Sequence, residues 1–457
     1  MPFWERASGE FSSRLEEDTD SRSRIQHCVS ADLRSSAGDT LLEIGVEDSS
    51  QRGRTAPSPG KELTVPRRTE TRTASVIRCL NILDGRPGFR LRSKWGHVSV
   101  LQCGGHICAL ISNKHDGITP MWKPNWKTID PHKYTSAKHA SLYGPAPEGR
   151  LLAGIAGHSV SFDYLGPPSP EEIAAGHNTH GEAPVAKWNL QQRFSTKTPT
   201  LVYGADLPKA QMHFERRISL DRNNPVVYCE ESALNLSTFD RPISWNEHIT
   251  FGPHFLECGT TLFDMPATRG KVCSKSFSKR MFIRADSEFT WPRVRKTRGG
   301  FHNLRTTPNV RFGHYTAHLL DPTLATAFVA VCNPRLRLLV LYLFSRKDFP
   351  WVGNWEERRN RISTPWSGRE FCRGFEFSST PFPIPRRETV TRGNLFGEMT
   401  YRWLPAKSEE KVRFMILMLN VSEDFKGVAS VACKDTCVQV RETRSSRQLV
   451  VPIEKFI

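Results

Sequence analysis

The sequence predicts an all-β protein built as one large antiparallel double-sheet sandwich. Short apolar runs recur along the chain, mostly of roughly four to ten residues and rich in β-branched or aromatic side chains. Pro, Gly, Asn and Asp separate them, while a sustained 3.6-residue apolar repeat is scarce. The ordered part, about 350 residues, calls for more strands than a sandwich of immunoglobulin size, which takes ~100. No fixed-period repeat is present, which weighs against a propeller.

Residues 1–75 are rich in Ser, Arg, Asp and Glu, carry Pro57-Ser58-Pro59-Gly60, and hold few aromatics after Phe11. Such a stretch buries too little apolar surface to offset chain entropy and reads as a disordered or weakly ordered arm. The first structured signal is His97–Gln102, then Gly104-Gly105, then His106–Ile111, a hairpin pattern. A short helix is expected over Pro170–Gly176, with Ser169 as N-cap and Glu171 and Glu172 in its first turn. Further strands are expected around Thr200–Tyr203, Pro225–Cys229, Ala325–Val331, Arg337–Phe344 and Val412–Val421. Residues 76–430 thus form the sandwich domain, and 431–457, Arg- and Ser-rich from Arg441 to Arg447, a tail or a last strand.

Composition narrows the function classes. With 38% hydrophobic and 10% aromatic residues, wholesale disorder is excluded. The longest apolar run, Leu338–Phe344, reaches about a third of the ~20 residues a membrane helix needs, so no membrane partner is expected. The start, Met1 to Arg6, carries an early acid and no apolar core of a secretory signal follows. Eleven thinly spread cysteines fit reduced thiols better than a disulfide framework. Together these point to a cytoplasmic protein.

The charge of 64 − 47 = +17 invites a nucleic-acid reading. Residues 1–75 hold 11 Lys/Arg against 13 Asp/Glu, so the excess lies downstream, above all in Arg269–Arg311 with 12 Lys/Arg against Asp286 and Glu288. That segment reads either as a rim attracting an anionic substrate or as a solvated basic loop. The second is the plainer reading, and no nucleic-acid-binding motif accompanies the charge, so nucleic acid is not the expected partner.

Motif searches leave most chemistries without a nominee. His177 and His180, and Cys433 and Cys437, lack a matching second pair at zinc spacing. Gly104-Gly105 and Gly299-Gly300 are not followed by Lys-Ser/Thr, and no Gly-x-Ser-x-Gly elbow occurs. Neither a metal nor an organic cofactor is expected. What remains is a density of His, Trp, Asn and Glu in three turn-bounded places: His177–Glu182 with Trp188 beyond, Trp245–Thr250, and Gly374–Pro383. Flat aromatic faces stack on a sugar ring, polar side chains bond its hydroxyls, and a carboxylate and an imidazole can divide base and acid work near neutral pH. Taken singly, His248 beside Trp245 and Ile249 could be a core histidine, and Glu376 between Phe375 and Phe377 a solvent-facing carboxylate.

Together the three segments resemble the galactose mutarotase-like superfamily, which includes the aldose 1-epimerases. His180-Gly181 with Trp188 is similar to its His-Gly…Trp element, Asn246-Glu247-His248 to the strand carrying its catalytic histidine, and Gly374-Phe375-Glu376-Phe377 with Pro381 and Pro383 to the strand carrying its catalytic glutamate. The likeness spans roughly residues 80–430 and implies a supersandwich fold. Gly154-Ile155-Ala156-Gly157-His158 stands where the epimerases have a Gly-Arg-x-x-Asn-Arg element, and Asp264 and Asp321 lie nearest by position to their substrate-clamping aspartate.

The resemblance implies an isomerase that interconverts anomers of a sugar or sugar-like substrate, working as a monomer or homodimer without cofactor. Glu376 would be the general base and His248 the general acid, its imidazolium favoured by the neighbouring Glu247. His180, Trp245, Glu247 and His158 would bind the substrate. A lyase or epimerase acting on an anionic sugar, and a non-catalytic carbohydrate-binding module, are the alternatives.

Overall fold

The computed structural model describes residues 76–115, 117–194, 198–274 and 281–454. The arm expected over 1–75 lies outside them. Two antiparallel sheets dominate the described residues, one of 14 strands and one of 8. Five strands at the middle of the larger sheet matter most here: β1 (His158–Asp163), β2 (Arg241–Phe251), β3 (Phe312–Leu320), β4 (Trp351–Arg358) and β5 (Phe371–Ser378). Their spatial order is β1-β2-β5-β4-β3. Beyond β1 lie four strands from Val76–Asn81 to Ile107–Ser112, and beyond β3 lie Ala267–Val272 and three short strands ending at Phe301–Asn303.

The expected hairpin is present as Gly96–Leu101 and Ile107–Ser112. Gly104 and Gly105 turn the chain at φ 83 and 65, a left-handed backbone that costs glycine little. The expected helix runs over Pro170–Ala174, with Ser169 and Glu172 in a reciprocal capping box. Three other short helices, Ser136–Tyr143, Glu148–Leu152 and Arg386–Arg392, were not anticipated. At five to eight residues they are too short to display a 3.6-residue period.

The sandwich core lies between the sheets. Phe162, Trp245, Phe375 and Phe377 from the larger sheet meet Phe214, Val227, Val340, Tyr342 and Ile416 from the smaller. Phe377 stacks on Phe344 with centroids 4.1 Å apart. Each fully buried side chain of this size contributes about 1.5–3 kcal/mol, which makes the alternation of inward and outward residues hard to slip. The outer face of the larger sheet is covered by a second apolar layer that includes Trp122, Leu152, Leu165, Trp355, Trp366 and Phe382. The residues after Val431 complete a three-stranded sheet, Val428–Cys433, Cys437–Glu442 and Gln448–Pro452, packed through Val438, Val440 and Val451 on Leu339, Leu341 and Leu417.

The basic stretch is partly neutralised: within it Arg269 meets Glu288 at 3.0 Å and Lys271 meets Asp286 at 3.2 Å, and Asp264, outside it, meets Arg305 at 2.5 Å. Residues 275–280 of that stretch lie outside the described residues. Among the described residues no helix is long and apolar enough to cross a membrane, and no group of three or more His, Cys, Asp or Glu could hold a metal ion.

Candidate active site

A strand shows alternate residues to opposite faces, so β2 has two chemistries. Ile243, Trp245, Ile249 and Phe251 enter the core between the sheets. Asn246, His248 and Thr250 turn the other way, toward the outer face. On β5 the same rule sends Phe375 and Phe377 into the core and Glu376 outward. The pairing of β2 with β5 matches Glu247 with Phe377 and Thr250 with Gly374. In that register His248 lies directly opposite Glu376, where side chains on one face meet.

The two side chains do meet. His248 Nε2 stands 3.5 Å from Glu376 Oε1. Thr250 Oγ1 lies 3.2 Å from His248 Nδ1, so a donating hydroxyl there leaves the imidazole proton on Nε2, facing the carboxyl. Asn246 donates its Nδ2 to Glu376 Oε2 at 3.2 Å. Oε1 has no hydrogen-bond partner. A Cβ at Gly374 would fall 2.4 Å from Oε1, so only glycine leaves the carboxyl this place.

Burial sets the protonation of the pair. Desolvation pushes the Glu376 carboxyl up to about 8, against a smaller opposing effect from the Asn246 hydrogen bond. Desolvation likewise lowers His248 to about 4. Between those values the pair holds one proton, whichever partner carries it. The expectation that Glu247 would raise His248 is corrected, because Glu247 points to the opposite face of the sheet and burial prevails.

Both residues line a cavity of about 1070 Å³ on the outer face of the larger sheet. His180 joins them, its ring 5.1 Å from that of His248 in an edge-on arrangement. The His180 backbone is left-handed, φ 63, and Gly181 follows so tightly that a Cβ would sit 1.9 Å from Phe162 O. His180 Nδ1 accepts the Gly166 N–H at 3.2 Å, so the neutral ring carries its proton on Nε2. Burial first, then the charge of His248, holds its pKa well below the usual histidine range. Trp355 stands 6.0 Å from the His248 ring, and Arg361 lies over Trp366 at 4.5 Å while reaching Glu148 at 3.4 Å.

Three residues expected to bind substrate lie elsewhere. Trp245, Glu247 and His158 face the core between the sheets, because each is one residue out of step with the outward-facing positions of its strand. Trp245 packs on Phe162 and Phe214 and donates its ring N–H to Glu231 at 2.9 Å. Glu247 binds His158 at 2.7 Å and Arg216 at 3.2 Å, and His158 is also approached by the Tyr342 hydroxyl at 3.4 Å. Trp188 is fully buried in the same core, its N–H on Ala183 O. Neither aspartate suggested by position lines the cavity: Asp264 holds Arg305 and the Val428 N–H, and Asp321 caps a turn through Thr323.

The structure adds residues that sequence reasoning missed, among them Tyr315, Arg311 and Arg361 at the cavity and Asn246 behind the carboxyl. The available signal was glycine inside a strand pattern. Gly353 and Gly374 each make room for a polar side chain from a neighbouring strand or position.

No protein-family model and no curated protein sequence matches the chain. Solved structures do. A candidate aldose 1-epimerase from Klebsiella pneumoniae superposes with a TM-score of 0.53 at 12% identity, over 74% of this chain and 80% of that one. A galactose mutarotase-like protein from Clostridium acetobutylicum gives a TM-score of 0.51 at 12% identity, over 76% and 99%. The chain has a galactose mutarotase-like fold, a mostly antiparallel β-sandwich.

Proposed function

We propose that the protein is an aldose 1-epimerase-like isomerase that interconverts the anomers of a sugar, with Glu376 as general base and His248 as general acid. The observation that carries this reading is the 3.5 Å approach of His248 Nε2 to Glu376 Oε1 on the wall of a large cavity. The two oxygens that must exchange protons, the anomeric hydroxyl and the ring oxygen, are attached to one carbon. A base and an acid that work on them together must therefore be close neighbours, each within about 2.6–3.2 Å of its own oxygen.

In the productive state the single proton of the pair sits on His248 and Glu376 is a carboxylate. Glu376 takes the anomeric O–H proton as that electron pair forms the carbonyl. The bond from the anomeric carbon to the ring oxygen breaks, and the ring oxygen takes the proton from His248. Rotation in the open chain presents the other carbonyl face, and the reverse transfers close the ring. Both transfers are assigned to side chains, so the proposal calls for no cofactor. Each is worth roughly 10²–10⁴-fold. His180 Nε2–H supports a ring hydroxyl.

A second reading, proton abstraction beside the carboxylate of a uronic sugar, draws on Arg311. This exposed side chain lines the cavity, donates to Arg359 O at 2.5 Å, and meets no acidic side chain among the described residues. Saturation-transfer NMR on neutral and uronic sugars tests both. Accelerated anomer exchange on a neutral sugar supports the isomerase, an unsaturated uronide product supports the second reading, and neither activity on any sugar contradicts both.

A further inference from the structure

The cavity contains a buried polar group that the acid–base pair leaves unused. Tyr315 on β3 is 3% exposed and lines the cavity, yet its hydroxyl has no hydrogen-bond partner. A donor left unpaired in a protein interior is costly, and a native orphan asks for a ligand or water. Its place is made by a missing side chain: a Cβ at Gly353 would lie 1.9 Å from Tyr315 Oη. Gly353 on β4 pairs directly with Glu376 on β5. The phenol therefore reaches across β4 toward the carboxyl, whose charge, after burial, helps hold the phenol proton firmly in place.

The two orphans have complementary needs. In the productive state Tyr315 O–H has a proton to donate, and the Glu376 carboxylate oxygen Oε1 can only accept. They do not bond each other, so a third group is required. An ammonium cannot accept from the phenol, and a carbonyl cannot donate to the carboxylate. A hydroxyl, of water or of a sugar that displaces it, does both.

We propose that Tyr315 is a substrate-binding residue whose hydroxyl donates to the same sugar hydroxyl that Glu376 deprotonates. This rests on the isomerase reading for which hydroxyl that is, namely the anomeric one. Tyr315 fixes the direction of the O–H toward Oε1 and supports the oxygen as its proton leaves for Glu376; the phenol keeps its own proton throughout. The orienting role that the resemblance gives to an aspartate falls here to a neutral phenol, since Asp264 and Asp321 are engaged elsewhere.

The test is a ligand-and-residue cycle on the full chain. Binding of glucose and galactose is measured beside the counterpart of each that lacks the anomeric hydroxyl, in wild type and in Tyr315→Phe, which keeps the ring and its packing. Wild type is expected to prefer the intact sugar by about tenfold, and Tyr315→Phe to hold on to no more than about twofold of that preference. Turnover in the variant is expected to fall about tenfold with KM changed less. Gly353→Ala, which places a methyl where Oη sits, should reproduce the loss. An undiminished preference in Tyr315→Phe overturns the proposal, as does failure of either intact sugar to bind wild type. Preference lost in the variant, with no anomer exchange by wild type, upholds the Tyr315 contact while the isomerase reading fails.

Discussion

Strand β2 carries a histidine–glutamate pairing on each face, alike in residue type and different in surroundings. On the core face, His158 and Glu247 lie 2.7 Å apart, Arg216 spans Glu231 and Glu247, Trp245 caps Glu231, and Tyr342 closes on His158. All of these are fully buried between the sheets. On the outer face, His248 and Glu376 lie 3.5 Å apart, one carboxyl oxygen is unpaired, and a cavity of about 1070 Å³ opens over them. Burial depresses both histidines and raises both carboxyls. Perturbed protonation therefore does not distinguish the faces. Access does: each face has a carboxyl oxygen without a hydrogen-bond partner, Glu247 Oε1 and Glu376 Oε1, but only Glu376 opens on the cavity.

That contrast predicts that core-face changes cost stability and outer-face changes cost chemistry. The largest effect is expected from Arg216→Met, which strips the cation from two buried carboxyls. Loss of one partner of a buried ion pair costs about 3–5 kcal/mol, to be read by denaturant unfolding. Variant protein that stays folded should retain the wild-type rate of anomer exchange, and a rate loss larger than the stability loss explains would blur the two faces. Glu376→Gln is the mirror case, with turnover lower by at least ~10²-fold in an NMR exchange assay and the fold kept.

The same variant sharpens the contrast through pH. Folded Glu376 binds its proton more tightly than the unfolded chain does, so the stability it contributes is complete below the unfolded carboxyl pKa and is lost as pH rises toward about 8. Glutamine suffers no such loss. Glu376→Gln should gain on wild type in thermal melts between about pH 5 and about pH 8, and a constant difference across that range would show that the carboxyl is not neutral when buried. The smallest effect belongs to Trp245→Phe, which leaves a Glu231 oxygen unpaired at a cost of about 1–2 kcal/mol, with exchange kinetics unchanged.

Strand existence was legible because β-branched runs and turn residues are local signals. The hairpin at Gly104-Gly105 and the helix after Ser169 follow from backbone preference alone. The partners of the site were only half legible. His248, Glu376 and His180 share the cavity. Trp245 and Glu247, three residues and one residue before His248, are assigned to the wrong face by nearness in sequence, because residues an odd number apart on a strand point to opposite faces. The alternation of Ile243, Trp245, Ile249 and Phe251 places Glu247 with them on the core face. Tyr315 was invisible for a different reason. Its role depends on the absence of a side chain at Gly353 on the adjacent strand, and such a cross-strand relation is not written in local sequence.

The pH dependence of anomer exchange tests the central claim most directly. If His248 and Glu376 share one proton, the rate should follow a bell with limbs near about 4 and about 8, and Glu376→Gln, which removes the base, should leave a single limb that falls as His248 loses its proton. A rate that matches the buffer alone across that range, or a bell that survives in Glu376→Gln, would contradict the account.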